Sequence, residues 1–149
     1  MQAKFTYRIK IDPKVVARPA QQAFVVYTRL LYNQFTEEFA DQKWNWPRLT
    51  QRKNGSIAGR VRDIVDTGEL MGSQQLAYTG KTTAIYSWNT PYAKLVLTGF
   101  RTSRGREYRG RNWVDSGIAA LPPTQYIAGY LKSGWVSSKL SQPTFTESA

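Results

Sequence analysis

The chain has 149 residues, 41% of them apolar, and carries 21 Lys and Arg against 10 Asp and Glu, for a net charge of +11 with neither His nor Cys. That length fits one domain with a core of its own. The composition excludes a disulfide framework, a thiolate metal site and the usual general base near neutral pH, and the surplus positive charge attracts polyanions without any sequence preference.

Phe5, Tyr7, Ile9 and Ile11 alternate with Thr6, Arg8 and Lys10, a two-residue period that predicts a half-buried strand with a charged outer face. Asp12-Pro13 ends it, because Pro offers no N–H to a ladder. The same segment lacks the basic start and apolar centre of a signal peptide. No apolar run approaches the ~18 residues of a spanning helix, so no membrane association is expected.

From Pro19 to Gln42 the period changes. Ala20, Ala23, Phe24, Tyr27, Leu30, Leu31, Phe35 and Phe39 recur at steps of three and four, which places them on one helical stripe facing a core. Pro19 suits the first turn, where its missing N–H costs nothing. Lys43 to Arg62 has no such order. It holds Trp44 and Trp46, then Arg48, Arg52 and Lys53, with Gly55 and Gly59 as breakers, and reads as a long loop or extended arm. Loops of this length are commonly functional. Exposed tryptophans would mark an interface, and a Trp pair folded back on the helix is the competing reading.

Leu76 to Tyr78 and Ala84 to Trp88 flank Thr79-Gly80-Lys81-Thr82 and predict a hairpin. Tyr92 to Leu97 reads as a short helix or a turn-strand element, and Phe100 to Asn112 as an irregular basic loop. Asp115 to Leu121 reads as a helix stopped by Pro122-Pro123, and Thr124 to Trp135 as another with Thr124 as its N-cap. Residues 1–136 are expected to form a single domain, and the polar segment 137–149 a flexible, frayed tail. Strand, long helix, loop, hairpin and shorter elements in that order give an α+β fold, the long N-terminal helix packed on a small antiparallel sheet with extended loops.

Candidate chemistry is sparse. Gly80-Lys81-Thr82 imitates part of a phosphate-binding loop, but Gln75 stands where that pattern requires Gly, and the stretch lies in a hairpin rather than before a helix. Asp63, Asp66 and Glu69 form a local acidic cluster without the spacing of a calcium loop. Asp66-Thr67-Gly68 is better read as an Asx-type turn, with Leu70 buried and Ser73 satisfying backbone polar groups. Lys81 and Lys132 have no recognisable nucleophile beside them. The expectation is an assembly part rather than an enzyme, with no cofactor and no metal. Arg101, Arg104, Arg106, Arg109 and Arg111 remain, interleaved with Gly105, Glu107, Tyr108 and Gly110. Glycines give such a loop reach, and guanidinium groups pair bidentately with phosphate or carboxylate.

Two segments resemble the head–tail joining proteins of long-tailed bacteriophages, the neck or tail-completion family. Asp66, Thr67, Gly68, Leu70 and Ser73 match an Asp-Thr-Gly-x-Leu-x-x-Ser block. Tyr92, Ala93, Val96 and Gly99 match a Tyr-Ala-x-x-Val-x-x-Gly block. Arg111-Asn112-Trp113-Val114 matches a third block loosely, with Asn112 where the family carries Pro. The first strand, the Trp-rich arm and the segment after Pro122 fall outside the shared pattern.

The resemblance implies a structural virion protein of the neck, made in the host cytoplasm. It would form a homo-oligomeric ring, six-fold favoured over twelve-fold, between the head connector or portal and the tail tube or terminator. Its arms would clasp neighbouring subunits, and its arginine loop would face the next ring or touch viral DNA without sequence preference. The alternatives are a small basic nucleic-acid-binding module and a tail-terminator subunit.

Overall fold

In the computed structural model, residues 5–10, 18–41, 43–44, 54–57, 68–132 and 144–148 are described. Strand β1 (Phe5–Lys10) follows the alternation: Phe5, Tyr7 and Ile9 are buried while Arg8 and Lys10 are exposed. It lies antiparallel to β3 (Thr83–Trp88), which pairs on its other side with β2 (Gln74–Thr79) across the expected hairpin turn. The register sets Phe5 opposite Trp88, Tyr7 opposite Tyr86 and Ile9 opposite Ala84, so one face of the sheet is aromatic. A fourth strand, β6 (Thr144–Ser148), pairs antiparallel with the free edge of β1, giving the order β2-β3-β1-β6. The end of the expected frayed tail is therefore sheet. Backbone pairing to an open edge supplies there what the polar side chains do not announce.

Helix α1 (Arg18–Ala40) has 23 residues, about 35 Å of length, and buries Ala20, Ala23, Phe24, Tyr27, Leu31, Phe35 and Phe39. Phe35 meets Tyr86 and Trp88 edge-on at ring-centroid distances of 5.1 and 5.6 Å. Polar groups at this junction are paired as burial requires. The Tyr86 hydroxyl donates to the Thr28 carbonyl at 2.7 Å. Gln74, 5% exposed, donates through Nε2 to the Tyr32 carbonyl and Thr36 Oγ1 at 2.8 and 3.1 Å, and its Oε1 accepts from Trp88 Nε1 at 3.1 Å. One side chain thus ties the helix to two strands.

Helices α4 (Trp113–Ala120) and α5 (Pro123–Lys132) pack on α1. Helix α4 starts two residues ahead of the expected Asp115 because Asn112 caps it, its Oδ1 accepting from Asp115 N at 3.0 Å. Helix α5 starts at Pro123, so Thr124 lies in its first turn rather than at its cap; Pro is well suited to that opening position. A side chain at Gly117 would place its Cβ 2.6 Å from Phe35 Cδ1, which makes glycine the condition for α4 to lie this close to α1. Trp113, fully buried, closes the end of the core against Phe39, Trp88 and Phe5. The architecture is α+β, with a long N-terminal helix on a small antiparallel sheet.

Candidate functional site

Helix α3 (Ala93–Thr98) runs straight into β4 (Gly99–Arg101), which pairs antiparallel with β5 (Glu107–Arg109) as a separate two-stranded ribbon. The expected irregular basic loop is therefore an ordered hairpin. Its root is two glycines. Gly99 has φ +79°, and a Cβ there would lie 2.5 Å from Gly110 N and against the Tyr108 carbonyl; one at Gly110 would lie 2.5 Å from the Leu97 carbonyl oxygen. Only residues without side chains let the two legs converge so closely. The outgoing leg is pinned again where Arg111 N donates to the Val96 carbonyl at 2.8 Å.

The tip is closed by short bonds. Thr102 N donates to the Arg106 carbonyl at 2.8 Å, Gly105 N to the Thr102 carbonyl at 2.9 Å, and Arg106 N to Thr102 Oγ1 at 3.1 Å. Phe100 and Tyr108, directly opposite each other, stack at 4.7 Å with their planes 16° apart. Cross-strand partners share a face, so this pair occupies one side of the ribbon. Arg101 and Arg109 stand on the other side, with Glu107 opposite Arg101. Arg101, Arg104, Arg106 and Arg109 are all exposed, and Arg111 is half-buried near the root. Among the described residues, the ion pairs are those of Lys43 with Glu38 and Asp41; none of the four exposed arginines is in one.

Of the motif residues, Gly99 is the root of this ribbon and Val96 accepts from its outgoing leg. Asp66 and Thr67, like Asp63, lie outside the described residues. Gly68 takes φ +79° at the entrance to the single turn α2 (Glu69–Gly72). Leu70 of that turn is buried, and Ser73 Oγ donates to the Leu70 carbonyl at 2.8 Å as the chain enters β2. Tyr92 donates its hydroxyl to Glu69 Oε2 at 3.1 Å, so the two blocks touch. Burial pushes the Tyr92 phenol upward, and the Glu69 carboxylate adds to the effect. Ala93 is buried, Val96 half-buried, and Gly99 is the ribbon root.

The Trp-rich arm is seen at its start. Trp44 is half-buried against the core, and its Nε1 donates to the Glu38 carbonyl at 2.7 Å. The physical reason is the end of α1, whose last carbonyls have no partner within the helix. Lys43 fixes the same corner. It pairs with the buried Glu38 carboxylate, donates to Ser116 Oγ at 2.8 Å and lies 5.2 Å from the Trp44 ring centroid. Trp46, Arg48, Arg52 and Lys53 lie outside the described residues.

Sequence reasoning missed three participants: Gln74, the Glu38–Lys43 pair and the Asn112 cap. The signal for Gln74 was its parity with Leu76 and Tyr78 along the strand, which sends a polar side chain inward. No protein-family model, curated protein or solved structure matches this chain.

Proposed function

We propose that this chain is a structural, non-catalytic subunit of a tailed virion. It closes into a homo-oligomeric ring in the neck, six-fold by preference with twelve-fold the other closure, joining head connector to tail and leaving a passage for DNA. The observation that carries the proposal is the meeting of the two sequence blocks. The turn around Gly68 and the Tyr92–Gly99 segment are bonded through Tyr92 and Glu69, and the second of them leads directly into the arginine ribbon. Such an arrangement spends its distinctive residues on placing a protrusion, which is what a head-to-tail contact between ring subunits needs.

The test is twofold. Negative-stain averages and mass measurement of the full chain, alone and with portal or tail-tube protein, are expected to give closed rings. Mass spectrometry of purified virions is expected to contain the protein. A chain that stays monomeric with both partners and is absent from virions refutes the proposal. The second reading, a basic nucleic-acid-binding module acting as a monomer, is favoured by the four exposed arginines that are in no ion pair among the described residues. A tail-terminator subunit differs from the first reading only in the layer of the neck it occupies.

A further inference from the structure

We infer that the β4–β5 ribbon is the DNA-contacting element of this protein and that it grips the phosphate backbone of duplex DNA through Arg101, Arg104, Arg106 and Arg109. This deepens the reading above by naming the polymer the ribbon meets, and it rests on that reading only for where the DNA is encountered. Four guanidinium groups crowd onto a hairpin whose strands are three residues each, and none is in an ion pair among the described residues. Glu107, opposite Arg101, is the one acidic side chain between Gly99 and Arg111, so the ribbon keeps a surplus of positive charge, and an array of phosphates is the complementary surface.

The same geometry decides between forms of nucleic acid. A single strand is held by aromatic rings that accept its bases; Phe100 and Tyr108 stack on each other, which leaves only their outer faces for that use. A two-stranded ribbon is also a shape that a duplex groove admits. The ribbon binds duplex by charge and shape, through phosphates that carry no sequence information, which also allows DNA to slide past it.

The experiment uses the full chain, two unrelated 30-bp duplexes and a matching single strand, read by fluorescence anisotropy between 50 and 200 mM NaCl. Light scattering on the same samples reports ring closure separately. With four phosphates neutralised per subunit, affinity is expected to fall about 100-fold across that salt range, and equally for both duplexes. The combined variant Arg101→Gln, Arg104→Gln, Arg106→Gln, Arg109→Gln is expected to lose nearly all of that dependence with its melting temperature unchanged. Lys81→Gln, an exposed charge in the other hairpin, is expected to bind like the parent.

Equal binding by the four-fold variant and the parent overturns the inference. So does tighter binding of the single strand, or discrimination of more than tenfold between the duplexes. Rings that form but bind no DNA assign the ribbon to an acidic protein surface and also overturn it, leaving the ring reading intact. A monomer whose DNA binding depends on these arginines sustains the inference and removes the ring.

Discussion

Glu38 shows how one residue fixes the end of the long helix. Its side chain is 4% exposed, and burial opposes its ionisation. Hydrogen bonds from Lys43, Ser116 and Gln34, together with the Lys43 charge, outweigh that and hold the carboxyl below the ordinary 4.5. Lys43 is held above 10.5 by its hydrogen bond to Glu38, against the smaller cost of desolvation. A carboxyl lowered in the folded state stabilises fully above its unfolded value, and that stability is lost as pH falls through the folded value. A lysine raised in the folded state stabilises below its unfolded value and loses this as pH rises through the folded one. The melting temperature is therefore expected to drop as pH falls below about 4.5 and again above about 10.5. Glu38→Gln should cost about 1–3 kcal/mol at pH 7 and flatten the acid limb in a calorimetric pH series. An acid limb identical to the parent's would show that Glu38 gains nothing from these partners.

At the scale of elements, the ribbon depends on its glycine root. Gly110→Ala would drive a methyl group to 2.5 Å from the Leu97 carbonyl oxygen, a backbone clash that no rotamer relieves. We expect about 1–3 kcal/mol of local destabilisation. It should appear as faster hydrogen exchange at Thr102, Arg106 and Arg111, with the four-stranded sheet unaffected because β4 and β5 belong to a separate sheet. Protection unchanged at those amides would refute that account.

Why this ribbon read as a loop is plain. Strands of three residues are too short for alternation to register, and Arg and Gly dominate the composition there. By contrast α1 presents its stripe over more than five turns, and of its eight predicted core positions only Leu30 is not fully buried. The Phe5–Ile9 alternation and the Gly80 hairpin were equally legible, since each is encoded by local pattern. The Asn112 cap could not be distinguished from a loop residue until its bond to Asp115 was seen.

Across the whole molecule, Phe35 joins what local pattern cannot. It packs on Tyr86 and Trp88 from the sheet and fills the space that Gly117 leaves on α4. Phe35→Ala is expected to cost about 3–5 kcal/mol in urea denaturation, a large share of the roughly 5–15 kcal/mol of a typical domain. A cost under 1 kcal/mol would mean that the three layers are not held together there. Long-range ties of this kind, like the Gln74 bonds and the pairing of β6 with β1, are invisible to periodicity because they are set by tertiary geometry.

The position of β1 between β3 and β6 carries a consequence for biosynthesis. Strand β1 leaves the ribosome before both of its ladder neighbours, which are encoded far downstream. At ordinary elongation rates, roughly 4–15 s pass between Lys10 and Thr83. Until then Phe5, Tyr7 and Ile9 have only α1 to shelter them, so a nascent chain slowed between codons 41 and 82 would expose an unzipped aromatic edge to its neighbours on the polysome.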